Sequence, residues 1–266
     1  MSSVLRSFSK KKGILAPFID NWFLAGEFPE SIPFEINMNK EKDDAFHPSS
    51  DPLSCVTLLY GRTRKEIPGQ KFSAAQNKTF CVGHMYHGLL QWVLVEGLGF
   101  SGWEHIEHEV RRTVDGEELP LTGPGEWQDE PALVAAKERG TWWMRGSADV
   151  SSCVIPDQGD YLVDVKTARS YSFGQVGVDD KYWAKYEAQA QMYMDWHQKD
   201  AAIVLYQNKD GPHDFKERII KRDPSFAEAV YERWAVVAEA LANGVPPKCD
   251  CGDRSSCPGH SKYAAA

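Results

Sequence analysis

The segment 161–168 constrains the fold most strongly, because it combines β-forming residues with a turn-rich lead-in at 156–159. Side chains alternate along a strand, so Asp164 and Lys166 point to the same face. A lone Asp-x-Lys pair is most often a surface ion pair. Its significance therefore depends on which other segments of the chain come close to it.

Hydrophobic spacing predicts the elements of the chain, which from residue 71 onwards follow the order helix, three strands, helix, two strands, helix. The predicted helices cover 16–24, 53–60, 71–98, 180–199 and 223–241. The predicted strands cover 103–114, 141–150, 161–168, 201–207 and 213–221. This order predicts an α/β fold in which a central mixed β-sheet is flanked by helices.

Composition narrows the class of protein. The 266 residues are 42% hydrophobic and 26% charged, which is typical of a globular chain. The net charge of −8 argues mildly against a protein that coats nucleic acid by charge alone, but not against an enzyme with one local groove. No apolar run is long enough for a membrane span, and residues 1–12 lack the apolar core of a secretory signal. We therefore expect a cytoplasmic protein that does not contact membranes.

A second carboxylate is predicted beside Asp164. If the strands at 141–150 and 161–168 form a hairpin that turns at Pro156 and Asp157, Asp149 lies opposite Asp164. Carboxylates opposed in this way are about 5 Å apart at Cβ and repel each other. A divalent cation would compensate, since Mg²⁺ prefers carboxylate oxygens. A slip of one residue would place Asp149 on the other face.

Four short motifs follow one another along the chain: Gly83-x-x-x-His87, Gly146-x-x-Asp149, Asp164-x-Lys166 and Gln189-x-x-x-Tyr193. In this order they resemble the PD-(D/E)xK nuclease superfamily, and in particular its RecB-like exonuclease branch. The resemblance covers roughly residues 48–260. It implies a restriction-endonuclease-like core that hydrolyses phosphodiester bonds with Mg²⁺ or Mn²⁺.

The resemblance also implies roles for single residues. The metal ligands would be His87, Asp149, Asp164 and the backbone carbonyl of Val165, and Lys166 would complete the catalytic set with the two aspartates. His84 is the alternative to His87. Either Glu107 or Glu109, on one face of the predicted strand 103–114, could add a carboxylate.

An aromatic stripe runs along the helix predicted at 180–199. Tyr182, Tyr186, Gln189 and Tyr193 recur at helical spacing, so they share one face. Such a stripe usually packs in a core. The polar Gln189 within it favours a surface that contacts DNA, with Gln189, Tyr186 and Tyr193 as the binding residues.

The cysteines of the tail indicate a second metal site. Cys249, Cys251 and Cys257 lie within nine residues, a density typical of metal binding. Zinc could use them with His260, whereas an iron–sulfur cluster needs a fourth thiolate, for which Cys55 is the candidate.

The resemblance favours the cluster. CRISPR-adaptation nucleases and AddB-type nuclease domains carry one cysteine before the core and three after it, and these hold a [4Fe–4S] cluster. The first two tail cysteines are closer together than that pattern implies, which leaves zinc as an alternative. Cys81 and Cys153 are interpreted as small buried hydrophobic residues.

These predictions give a domain plan and a function. Residues 1–47 form a lead-in, 48–248 the nuclease core and 249–263 a Cys-rich tail that packs with the Cys55 segment. The alanines at 264–266 are interpreted as foreign to the natural chain.

The expected function is that of a metal-dependent DNA exonuclease acting on single-stranded ends in recombination or DNA-end processing. It would work in a bacterium or a phage-infected cell, with recombination or CRISPR-adaptation proteins as partners. The alternatives are a structure-specific endonuclease on the same fold and a non-catalytic nucleic-acid-binding partner in a recombination complex.

Overall fold

The structure is a computed structural model that describes residues 13–26, 46–69, 71–100, 146, 148–178, 180, 182–211, 214–252 and 256–263. The predicted strand 103–114, with Glu107 and Glu109, lies outside the described residues, as does most of the strand predicted at 141–150. Within the described residues, no helix combines the length and apolar character needed to cross a bilayer.

Four strands form one mixed sheet at the centre of the described residues. They are β1 Val150–Ile155, β2 Gly159–Ala168, β3 Ala201–Asn208 and β4 Phe215–Lys221, and they lie in the order β1-β2-β3-β4. The pairs β1–β2 and β3–β4 are antiparallel, and β2–β3 is parallel. The predicted mixed sheet flanked by helices is therefore confirmed.

Seven α-helices flank this sheet within the described residues: α1 Ala16–Ala25, α2 Val56–Thr63, α3 Ala74–Trp92, α4 Ser170–Gln175, α5 Trp183–Trp196, α6 Pro224–Asn243 and α7 Pro258–Tyr263. A π-helical turn, Val93–Gly97, extends α3. Ser73 begins α3 with a capping box to Gln76, and Asp223 caps α6 ahead of a proline at its first position.

One predicted helix end was wrong, and two short helices were not predicted. The helix predicted at 53–60 was expected to end at Gly61, but α2 continues through Gly61 to Thr63. Gly61 lies against Ile67 and Tyr263, where an added Cβ would be only 2.6 Å from Ile67 Cδ1. The glycine thus serves close packing and not helix termination. The short helices α4 and α7 were not predicted.

Each face of the sheet carries its own apolar core. One face packs Val163 and Val165 of β2 against Leu90 and Leu94 of the α3 region. The other face packs Leu162 of β2 against α4 and α5. Because side chains alternate, Asp164 and Lys166 lie on the Leu162 face, directed towards α5.

A second layer of helices covers α5. Leu59 and Tyr60 of α2 and Trp234 and Val237 of α6 pack together with Met192 of α5. The helix α5 is therefore enclosed between the sheet and other helices, which explains why its residues 188–194 are all buried.

A carboxylate fixes α1 to the edge strand β4. Glu217 accepts hydrogen bonds from the backbone N–H groups of Ile14, Leu15 and Ala16, at 2.5, 2.9 and 2.7 Å. These are N–H groups at the start of the helix that lack partners within it. The interaction joins two segments about two hundred residues apart.

Candidate functional site

The hairpin of β1 and β2 brings the two predicted aspartates together. Val150 pairs with Val163, which is the register predicted from the sequence. Between Val150 and Cys153 the register shifts, so that Cys153 pairs with Tyr161. The strand β1 also continues to Ile155, beyond the end predicted at Val150. The irregularity lies directly after Asp149, at the start of β1.

Asp149 is buried, and both of its carboxylate oxygens accept hydrogen bonds. Its Oδ2 accepts a hydrogen bond of 2.6 Å from the Val165 backbone N–H and lies 3.0 Å from His87 Nε2. Its Oδ1 accepts a hydrogen bond of 2.8 Å from Gln91 Nε2. The carboxylate thus takes the place of a β1 carbonyl as the partner of β2 and connects the sheet to α3.

Gln91 was not assigned a role from the sequence. It lies four residues after His87, so the two side chains share a face of α3. That spacing was the available signal, but it does not reveal that both side chains reach the same carboxylate.

Asp164 is 2% exposed and interacts with Lys166. Lys166 Nζ donates a hydrogen bond of 2.8 Å to Oδ1, and it lies 2.8 Å from Oδ2 at an angle that makes no hydrogen bond. Within the described residues Oδ2 is buried without a hydrogen-bond partner. The charge of this oxygen is met by the Lys166 ammonium, and a divalent cation would give it a second partner.

The two carboxylates have opposite pKa shifts. Burial raises the pKa of Asp164, the charge of Asp149 adds to this, and Lys166 opposes it. Burial would also raise the pKa of Asp149, but His87, Lys166 and the Val165 N–H outweigh it and lower the pKa. Burial lowers the pKa of His87, whereas Asp149 raises it more, so the net pKa is raised.

The predicted ligands are neighbours but do not converge on one point. Among the described residues, only the four cysteines form a set of three or more such ligands that could share one ion. His87 and Asp149 are in direct contact, whereas Asp164 faces α5 and pairs with Lys166. A metal that bound all three would replace part of the Lys166 contact. His84 is exposed and makes no hydrogen bond within the described residues, so the contact with Asp149 belongs to His87.

The residues predicted to contact DNA are mostly buried. Tyr193 is 3% exposed and Gln189 is 7% exposed. Gln189 Oε1 accepts a hydrogen bond of 3.0 Å from Lys166 Nζ, and the Tyr186 ring centroid lies 5.0 Å from the same ammonium. Burial raises the pKa of Tyr186 to about 12. Of the stripe, only Tyr182 is exposed. Gln189 and Tyr186 contact Lys166, whereas Tyr193 packs in the core.

Glycines allow the helices to approach the site. A Cβ on Gly146 would be 2.7 Å from Tyr193 Cε1, and a Cβ on Gly83 would be 3.0 Å from Thr167 Oγ1. The first glycine lets α5 pack against the residues before β1. The second lets α3 pack against β2, which brings His87 to Asp149.

The four cysteines named from the sequence lie together. Their sulfur atoms are within 4.8 Å of one another, with Cys55 Sγ 3.5 Å from Cys249 Sγ and 3.6 Å from Cys257 Sγ. His260 is not part of this set; its backbone N–H donates to Cys257 Sγ. Cys153 is fully buried in the core, as predicted, while Cys81 is only partly buried.

Burial would raise the pKa of the Cys55 thiol, but the Leu58 backbone N–H and the neighbouring cysteines outweigh it and lower the pKa to about 7. Thiolate is the form that binds metals. Close packing holds the set together, because a Cβ on Gly259 would be 2.4 Å from the Leu58 backbone nitrogen. The four thiols therefore suit a metal ion or an iron–sulfur cluster.

No protein-family model and no curated protein matches the chain. Among solved crystal structures, it is similar to SSO0001 at 15% identity over 96% of this chain and 98% of that chain, with a TM-score of 0.43.

It is also similar to the alkaline exonuclease LHK-Exo from Laribacter hongkongensis, at 12% identity over 85% and 93% of the two chains, with a TM-score of 0.44. A phage-related exonuclease from Haemophilus somnus 129PT matches at 15% identity over 78% and 97%, with a TM-score of 0.34. Likeness at this level does not establish an activity for the chain.

Proposed function

We propose that this chain is a metal-dependent deoxyribonuclease of the PD-(D/E)xK type that degrades DNA from single-stranded ends. The observation that carries the proposal is the buried pair Asp149 and Asp164, with Lys166 on the same face of β2 as Asp164. Two neighbouring buried carboxylates are unfavourable in a purely structural role. They are what a site for a hard divalent cation requires.

The donor set fits Mg²⁺ or Mn²⁺. Asp149 and Asp164 offer carboxylate oxygens, and His87 supplies a nitrogen beside Asp149. Asp164 Oδ2 makes no hydrogen bond among the described residues and has Lys166 as its ion-pair partner, so a metal ion would share this oxygen with the ammonium. These three side chains, with the Val165 carbonyl that the resemblance implies, would hold the ion. When bound, it would supply a water of lowered pKa and positive charge beside the scissile phosphate.

Three neighbouring side chains hold the Lys166 ammonium in a fixed position, where we propose that it stabilises negative charge on the phosphate. Asp164 and Gln189 accept its hydrogen bonds, and Tyr186 covers one side of the ammonium. An ammonium fixed in this way stabilises negative charge that develops on a phosphate without having to reorganise. Gln189 and Tyr186 are thus proposed to position Lys166, and their contribution to DNA binding would be indirect.

The test is a digestion of end-labelled single-stranded DNA with and without Mg²⁺ or Mn²⁺. We expect cleavage only with metal, and loss of cleavage in Lys166→Ala. Lys221→Ala, at an exposed position on β4, is the matched control and should cleave normally. Cleavage by Lys166→Ala at the normal rate would refute the catalytic assignment. Lys166→Ala could unfold the protein, because it leaves the buried Asp164 carboxylate without its partner. Lys166→Gln keeps a hydrogen-bond donor for Asp164 and is therefore tested in parallel.

Substrate topology tests the exonuclease part of the proposal. An exonuclease degrades linear single strands and leaves circular ones intact, whereas an endonuclease on the same fold cuts both. Binding without cleavage under all metal conditions would instead indicate the non-catalytic alternative.

We also propose that the four cysteines hold a structural [4Fe–4S] cluster. Its thiolate ligands would be Cys55, Cys249, Cys251 and Cys257, and it would connect the start of the core to the tail. One observation favours zinc instead: tetrahedral Zn–S bonds of about 2.3 Å place sulfurs roughly 3.8 Å apart, close to the distances found here.

Elemental analysis of the purified protein decides between the two metals. Iron with absorbance near 400 nm supports the cluster, and one zinc per chain without iron overturns it. Cys257→Ser should lose the metal in either case, so folding and metal content that both survive this change would overturn the site itself.

A further inference from the structure

Three basic side chains lie beside the candidate catalytic site, where α3 passes the ends of β2 and β3. Arg169 directly follows β2, and Lys209 directly follows β3. The Lys209 backbone N–H donates to the Ala168 carbonyl at 2.8 Å, so the two strand ends are joined. His84 lies on α3, three residues before His87, and its side chain shares that face of the helix.

Both strand-end side chains contact the same residue of α3. Arg169 Nη2 donates a hydrogen bond of 2.9 Å to Thr79 Oγ1. Lys209 Nζ makes a long hydrogen bond of 3.4 Å to the Thr79 carbonyl. A Cβ on Gly83 would be 3.2 Å from this ammonium, so the absence of a side chain there makes room for it. The two cations are therefore held against α3.

These groups repel one another. Burial lowers the pKa of Lys209, and the charge of Arg169 lowers it further. Burial also lowers the pKa of His84, together with the charges of His87 and Lys209. Lys209 is thus close enough to interact electrostatically with both Arg169 and His84.

No carboxylate of the described residues forms an ion pair with Arg169, Lys209 or His84. The nearby acid, Asp210, accepts a hydrogen bond from the Ser170 backbone N–H and compensates the cluster only in part. In a chain of net charge −8, an unpaired basic cluster is unexpected on electrostatic grounds. Bound negative charge would remove the repulsion.

We propose that His84, Lys209 and Arg169 form a phosphate-binding subsite that holds the DNA strand next to the phosphate being cleaved. The inference rests on the proposed nuclease function and deepens it. His84 and His87 are i, i+3 neighbours, with Cβ atoms about 5–6 Å apart. The subsite therefore begins one short step along α3 from the proposed metal ligand. Arg169 uses one of its five N–H donors on Thr79, which leaves others for phosphate oxygens.

The ligand chemistry is a phosphate group, which is either a phosphodiester within the strand or a monophosphate at its end. The probe is a fluorescent 20-nucleotide single strand, made with and without a 5′-phosphate. Its Kd is measured by anisotropy in EDTA, on protein carrying Lys166→Ala, so that no cleavage occurs.

The test variant adds Arg169→Gln and Lys209→Gln. Because the two changes remove two charged donors to phosphate, Kd should rise at least about tenfold. The slope of log Kd against log salt should fall by about 1.4, which corresponds to two phosphate contacts on a single strand. Lys65→Gln with Lys221→Gln, both at exposed positions away from this cluster, is the matched control and should change Kd far less.

Two further comparisons identify the kind of phosphate that is bound and the importance of the charge on Lys209. If only the phosphorylated strand loses affinity, the subsite holds a terminal monophosphate; if both strands lose it equally, the subsite holds an internal phosphodiester. Lys209→Arg, which keeps the charge, should bind with nearly parental affinity.

An unchanged Kd and salt slope in the double variant, with a melting curve like that of the parent, would overturn the subsite. This result is distinguishable from failure of the nuclease proposal, which would appear as absence of metal-dependent cleavage by the unmodified protein while DNA binding and its salt dependence persist.

Discussion

Gly146→Ala tests how the residues before β1 depend on α5. The added Cβ would lie 2.7 Å from Tyr193 Cε1, 3.0 Å from Tyr193 Oη and 3.1 Å from Trp196 Cζ3. Carbon atoms do not approach to 2.7 Å without displacing one another. Tyr193 is 3% exposed and enclosed between the sheet and neighbouring helices, so it cannot turn into solvent. The clash must be relieved by movement of the backbone.

The loss of folding stability can be estimated from the kind of clash. Inserting a methyl group into a packed site typically costs about 1–3 kcal/mol. At about 2–4 °C per kcal/mol for a domain of this size, the melting temperature should fall by roughly 2–12 °C. The backbone itself imposes no penalty, because Gly146 does not have a positive φ. Alanine would even be favoured by about 0.4–1 kcal/mol if the clash were absent.

A double-mutant cycle with Tyr193→Leu isolates the clash. Leucine does not reach the position of Cε1, so Gly146→Ala in this background should lose most of its cost, and only the 3.1 Å contact with Trp196 Cζ3 remains. Urea denaturation of the four proteins gives the four free energies of unfolding. Tyr193→Phe is the matched control, because it keeps Cε1 and should not relieve the cost. If Gly146→Ala costs as much beside Leu as beside Tyr, the packing argument is refuted.

Three further predictions concern side-chain hydrogen bonds. Gln91→Leu removes the donor to Asp149 Oδ1, so Mn²⁺ affinity measured by calorimetry should fall about 10- to 100-fold; unchanged affinity would mean that Gln91 does not orient the ligand. Glu217→Gln replaces one of two acceptor oxygens by a donor facing the start of α1, and should lower the free energy of unfolding by about 1–3 kcal/mol. Equal urea midpoints and slopes would contradict it. Arg233→Ala removes hydrogen bonds to the Pro52 carbonyl and to Asp250, so a chelator should strip metal from the cysteines faster than from the parent protein.

The sequence was sufficient to predict the strand that carries the candidate site and its immediate partner. Alternation along β2 requires Asp164 and Lys166 to share a face, and a tight turn requires Asp149 to be near them. Neither the irregular register after Val150 nor the hydrogen bond from the Val165 N–H to the Asp149 side chain could be predicted from the sequence. Side-chain replacement of a ladder hydrogen bond leaves no trace in hydrophobic spacing.

The surroundings of α5 show that helical spacing alone does not predict whether a face of a helix is buried. Helical spacing correctly grouped Tyr186, Gln189 and Tyr193 on one face, but it does not say whether that face meets solvent or another layer. Tyr193 packs against β2, β3 and α4, so its burial is a tertiary effect. The start of α7, by contrast, carried a recognisable signal, because Pro258 occupies the first position of the helix.

The cysteine set has a consequence for synthesis of the chain on the ribosome. Cys55 and Cys249 are separated by 194 residues. At about 5–20 residues per second, translation needs roughly 10–40 s to cover that interval. Until α6 and α7 are synthesised, the apolar side chains of Leu59 and Tyr60 lack the part of their native cover that these two helices supply. A ribosome-stalled chain that ends before Cys249 should therefore expose α2 to proteases and chaperones, and release of the tail should protect it.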